Sequence, residues 1–140
     1  MSDDDVLVVR RVIPASREEV FDAWLDAENM AEWMRPGDTF EAKVELDPRV
    51  GGKFHILMIH GRDDHDHWGE YLEIDRPSRL SFTWISKATS NLPTIVTIEL
   101  RDVEGGTELT LTHRGLPDAK IDDHRNGWGA ILRKFGESLG

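Results

Sequence analysis

Six histidines and a set of carboxylates are the residues of this 140-residue chain best suited to hold a metal or move a proton. His60, His65 and His67 crowd one short segment, with Asp63, Asp64 and Asp66 among them. Imidazole and carboxylate are metal ligands, and His65-Asp66-His67 would put two rings on one side of an extended strand. No apolar residue from Arg62 to His67 anchors the segment, which predicts a solvent-facing hairpin tip without a specific metal. His113 and His124 stand apart, separated by ten residues. They are expected to approach each other or a cavity mouth. An acid–base role there would need a pKa near the working pH and a reacting atom in reach. The plainer expectation is that His124 caps a helix or orders the loop before it. Glu73 is the carboxylate to watch. In an apolar cavity its pKa would rise and it could serve as a general acid or base; on the surface it would pair with Arg76 or Arg79.

No cysteine is present, so thiol nucleophiles, disulfides and zinc–thiolate sites are excluded. Gly51-Gly52 and Gly105-Gly106 fall in turns between strands, not before helices, so neither is a phosphate-cradling loop. A serine–histidine–aspartate order is also missing. Acids outnumber bases 27 to 17, for a net charge of −10. That sign repels phosphate backbones and anionic membranes, which argues against nucleic-acid partners and membrane insertion. The opening Met-Ser-Asp-Asp-Asp is acidic where a secretory signal would be basic, and no apolar run approaches a bilayer span. A cytoplasmic protein of one domain, residues 1–140, is the expectation, with no cofactor and with homodimerisation left open.

These residues need elements to position them. Val6 to Ile13 reads as a strand that Pro14 stops. Ser16-Arg-Glu-Glu19 has the form of a capping box, opening a short helix through Val20, Phe21, Trp24 and Leu25. A second short helix carries Met30, Trp33 and Met34 and ends at Pro36-Gly37. Period-two alternation follows: Phe40–Leu46, Phe54–His60, Trp68–Ile74, then Leu80, Phe82 and Trp84 on one strand face. Ser86 to Pro93 reads as a loop. Thr94–Arg101 and Glu108–His113 flank Glu104-Gly105-Gly106, a hairpin signal. Last, Trp128, Ile131, Leu132, Phe135 and Leu139 recur at helical spacing from His124 onward. Gly127 and Gly129 flank that tryptophan, each costing a helix about 1 kcal/mol relative to alanine. Such a cost implies close approach of another backbone or of a ligand. Strand, two short helices, six strands and a long helix make an α+β protein with an antiparallel sheet.

Five pieces of the chain, in this order, resemble a known family. They are Pro14-Ala-Ser16-Arg-Glu-Glu-Val20-Phe21; Trp33 three residues before Pro36; and Gly51-Gly52-Lys-Phe54. The fourth is Gly69-Glu-Tyr71-Leu-Glu73-Ile-Asp-Arg-Pro77 leading into Leu80-Ser-Phe82-Thr-Trp84. The fifth is Thr112-His113-Arg-Gly115-Leu-Pro117 followed by His124-x-x-Gly127-Trp128. From Val6 to Leu139 the chain resembles the helix-grip (SRPBCC, START-like) superfamily, and within it the domain named after the activator of heat-shock-protein-90 ATPase. The resemblance implies a curved sheet of six to seven strands wrapped around the C-terminal helix, with a ligand cavity between them.

A small apolar or aromatic molecule is then the expected partner. The expected lining is Trp33, Phe54, Ile56, Met58, Tyr71, Glu73, Phe82, Trp84, His113, His124, Trp128 and Leu132, with no metal. The alternative is a cyclase-, aromatase- or hydrolase-type enzyme using Glu73, His113, His124 or Tyr71. A co-chaperone-like interaction module is the third reading. The chain begins at the strand, without the additional N-terminal domain of the eukaryotic co-chaperone, which disfavours a chaperone partner.

Overall fold

The computed structural model describes residues 6–35, 39–60 and 64–139. The expected helix stop at Pro36-Gly37 and the residues Gly61–Asp63 of the expected hairpin tip lie outside the described residues, apart from Arg35 and Asp64 at their borders. In chain order the elements are β1 (Leu7–Ile13), α1 (Arg17–Ala23), α2 (Ala27–Trp33), β2 (Glu41–Leu46), β3 (Lys53–Ile59), β4 (His65–Asp75), β5 (Arg79–Ser86), β6 (Thr94–Val103), β7 (Gly106–Arg114) and α3 (Ile121–Leu139). Short 3₁₀ turns at Lys87–Thr89 and Asp118–Lys120 precede β6 and α3.

The strands form one antiparallel, curved sheet in the order β1-β7-β6-β5-β4-β3-β2. Hairpin neighbours pair in sequence, and β1 closes on β7 with Leu7 opposite His113 and Ile13 opposite Thr107. Period-two alternation sends Phe54, Ile56 and Met58 of β3 to the concave side, with Leu80, Phe82 and Trp84 of β5 and Leu109, Leu111 and His113 of β7. Covering that side, α3 lies against β1, α2 lies against β2, and the two helices touch each other. The buried stripe of α3 is Trp128, Ile131, Leu132 and Phe135, as its spacing predicts.

Local chemistry sets the helix starts. Ser16 Oγ accepts the Glu19 amide and donates its own proton to the Glu19 carboxylate. Asp26 caps α2 by accepting from the amides of Glu28 and Asn29. Four tryptophans gather where helices meet sheet: Trp24 against Trp33 at 4.7 Å, Trp24 against Trp128 at 6.5 Å, and Trp128 against Trp84 at 4.9 Å between ring centres. Among the described residues no helix is long and apolar enough to cross a membrane.

Candidate functional site

Beneath α1 and α2 the concave face is nearly solid. Trp24, Met30 and Met34 meet Phe54, Tyr71 and Phe82 around a void of about 10 Å³, enough for one water molecule at most. Room opens at the other half of the sheet. A groove of about 520 Å³ runs between the first three turns of α3 and the adjoining ends of β3, β4 and β5. Met58, Trp84, Trp128, Ala130 and Ile131 supply its apolar wall. His60, His65, His67, Lys120, Asp123 and His124 supply the polar one. A neighbouring recess of about 760 Å³ shares His65, His67, Ala88 and Lys120 with it.

This placement corrects the expectation for the histidine-rich segment. β4 begins at His65, and its ladder with β3 pairs Met58 with His65 and Ile56 with His67. His65 and His67 therefore stand on the concave side of a strand, not on a hairpin tip. His65 is exposed and stacks on His60, their rings 4.6 Å apart. His67 is only 9% exposed and packs on Trp84 at 4.8 Å. Its Nδ1 has no partner among the described residues. Burial, with like-charge repulsion from His65 and lesser effects of His124, pulls its pKa down to about 4, so the ring is neutral at neutral pH. Among the described residues no three histidines, aspartates or glutamates are arranged to hold a metal ion.

His113 and His124 do meet, edge to face at 5.3 Å. Their settings differ. His113 is fully buried within a continuous relay. The Trp128 Nε1–H donates to His113 Nδ1 at 3.0 Å. His113 Nε2–H then donates to Thr94 Oγ1 at 2.7 Å, and that hydroxyl donates to the Trp84 carbonyl at 2.6 Å. One proton per step fixes the tautomer. Burial first, then His124, brings the His113 pKa down to about 3. A ring with both nitrogens engaged and no access to the groove is a brace for Trp128, not an acid–base group. His124 is half-buried on the groove wall, and its Nδ1–H donates to the Lys120 carbonyl at 2.9 Å, which leaves Nε2 free of that contact.

The other expected lining residues divide. Met58, Trp84, His124 and Trp128 line the groove; Phe54, Ile56, Tyr71 and Phe82 line the small void, as does Trp84. Trp33 and Leu132 are fully buried core, with Trp33 donating to Asn29 Oδ1 and packing on Phe135. Tyr71 is buried, and desolvation pushes its phenol above the usual range. Glu73 is not in the cavity. A bulge between Tyr71 and Glu73 adds a residue to β4 and turns Glu73 to the convex face. There it takes Arg79 at 2.8 Å, and Arg79 also holds Glu99.

Of the two expectations for the glycines beside Trp128, close approach of another backbone is not met. An added Cβ at Gly127 or Gly129 would meet nothing within 4 Å, so neither admits a neighbouring backbone. Gly127 opens onto the groove instead. The polar side chains the sequence left out of the cavity are His60, His65, His67, Lys120, Asp123 and Asn126, with Ala88, Ala130 and Ile131 beside them. The same-face spacing of His65 and His67 was the signal for two of them.

A family model described as activator of Hsp90 ATPase homolog 1-like protein matches residues 14–140. No curated protein matches the chain. Among solved structures, a protein of Chromobacterium violaceum superimposes with a TM-score of 0.82 at 26% identity, covering 97% of each chain. One from Nitrosomonas europaea gives 0.82 at 21% identity, covering 99% of this chain and 96% of that one. An AHSA1-like protein from Aeromonas hydrophila gives 0.75 at 24% identity, covering 96% and 91%.

Proposed function

The chain belongs to the family of activator of Hsp90 ATPase homolog 1-like proteins, and from that premise we propose that it binds a small apolar or aromatic molecule in the groove between α3 and the sheet. The carrying observation is the groove itself. Its volume of about 520 Å³ falls within the ~300–1,000 Å³ usual for small-molecule sites. Trp84, Trp128, Met58 and Ile131, each almost fully buried, form its closely packed apolar floor, and Gly127 adds no side chain to obstruct the space above it. Such a site selects by shape and by loss of water from apolar surface, with few directional contacts. Glu73 is turned away and His113 is neutral with both nitrogens occupied, which removes two of the four groups on which an acid–base enzyme would have relied.

The test is a titration of isotope-labelled protein with a library of apolar and aromatic compounds, read by the indole N–H resonances. Binding should shift Trp128 and Trp84 and spare Trp68, and the compound should be recovered unchanged. No binder in a broad library would defeat the reading. A recovered product, formed at a rate that His124→Ala abolishes, would place the protein among enzymes.

A further inference from the structure

We propose that the molecule held in this groove is an apolar body bearing a carboxylate, and that the carboxylate sits among His65, His67, His124 and Lys120. The inference rests on the binding function proposed above and gives it a ligand class. Three observations carry it.

The first is convergence. His65 and His67 come from β4, Lys120 from the turn before α3 and His124 from its first turn, and all four line one groove. His65, His67 and Lys120 also line the adjoining recess, so they stand where the two spaces join. The second is His67 itself. It is a nine-tenths buried polar side chain in the groove wall whose Nδ1 has no partner among the described residues, a state buried imidazoles seldom keep.

The third is the mutual influence of the imidazoles. Burial, His65 and His124 drive protons from His67 against the favouring backbone carbonyls of His65 and Ile56, and burial and His124 drive them from His113; no carboxylate figures in either balance. Repulsion among chargeable imidazoles is relieved when a negative charge lies between them. The chain as a whole carries a net charge of −10. A carboxylate accepts several N–H donors at once, whereas an amide or ester presents a neutral oxygen.

Binding of the anion raises the proton affinity of the imidazoles around it, so affinity should rise as pH falls, until the ligand's own acid protonates. The charged and titratable groups facing this spot are His60 just after β3, His65 and His67 from β4, Lys120, and Asp123 and His124 from α3. Asp64, Asp66 and Lys87 face it from the recess. Asp66 is engaged by His55 at 2.6 Å, and Asp64 and Asp123 oppose the anion.

Calorimetric titration with 2-naphthoic acid, its primary amide and its methyl ester tests the proposal. The acid should bind about tenfold or more tighter than either neutral compound near pH 6, about 1.4 kcal/mol. Lys120→Gln, at an exposed position where folding is not at stake, should reduce the acid's advantage several-fold, and His124→Gln should reduce it as well. Equal affinities for the three compounds would overturn the carboxylate while leaving apolar binding in place. Binding of the amide and ester without the acid would overturn it too. Failure of every compound in the broad library would instead defeat the binding function on which it rests.

Discussion

His113 Nδ1 is the acceptor that lets the Trp128 indole N–H be buried, and a proton on that nitrogen would break the contact. The folded state therefore keeps His113 neutral down to about pH 3 and His67 down to about pH 4. Unfolded, both titrate near 6.5. Between these limits the unfolded chain binds protons that the folded one refuses, so stability falls as pH falls below about 6.5. The loss approaches about 1.4 kcal/mol per pH unit for each histidine, or about 2 kcal/mol each by pH 5. Urea unfolding midpoints at pH 7 and pH 5 should show this drop, and His113→Gln should remove roughly half of it. Trp128→Ala should cost about 3–5 kcal/mol, as expected for a buried aromatic ring. Trp128→Phe keeps much of the packing but leaves His113 Nδ1 without its donor, a loss of about 1–3 kcal/mol in the same assay. The sequence showed that His113 and His124 could approach. It did not show which ring would be braced and which left on the groove wall, because that depends on Thr94 and on the Trp84 carbonyl, brought in from two other strands.

At the scale of the element, α3 and β4 carry glycines of opposite meaning. Gly127 lies in mid-helix with open space where a Cβ would go. Gly127→Ala should therefore raise stability by up to about 1 kcal/mol through helix propensity. It should also weaken ligand binding, because the new methyl projects toward the groove. Thermal unfolding and ligand titration on the same variant should move in opposite directions. Gly69 is the reverse case: a Cβ there would lie 2.0 Å from the Thr83 carbonyl and 2.7 Å from the Phe54 ring. Gly69→Ala should cost several kcal/mol, on the order of an overpacked core, as read from denaturant midpoints. Element order was legible from alternation, capping residues and turn signals. The start of β4 was not. Asp64-His65-Asp66-His67 reads as a polar tip, yet hydrogen bonding to β3 carries the strand through it, with alternate side chains facing groove and solvent. The position of Glu73 was lost for a related reason. Strict period two places it beside Tyr71, and only the bulge, which no residue type there announces, turns it outward.

For the whole molecule, a net charge of −10 sets carboxylates against one another across a small surface. Raising salt from about 0.01 M to 0.15 M shortens the screening length from about 30 Å to 8 Å. The midpoint of thermal unfolding should rise modestly over that range. Architecture was legible because patterning and family resemblance agree from β1 to α3. The division of the interior into a nearly solid half and an open half was not, since it depends on how α1 and α2 seat Trp24, Met30 and Met34 over the sheet. The chain of indoles from Trp33 through Trp24 and Trp128 to Trp84 has a consequence of its own. Neighbours 4.7 to 6.5 Å apart do not absorb as isolated chromophores. Their transitions couple, so the circular dichroism spectrum should carry an exciton couplet that collapses when Trp24 or Trp128 is replaced by phenylalanine. Trp68, 38% exposed on the convex face, stays outside that coupling and should emit as a solvated indole. Light absorbed by this protein is thus shared among four rings, two of which form the wall of the groove.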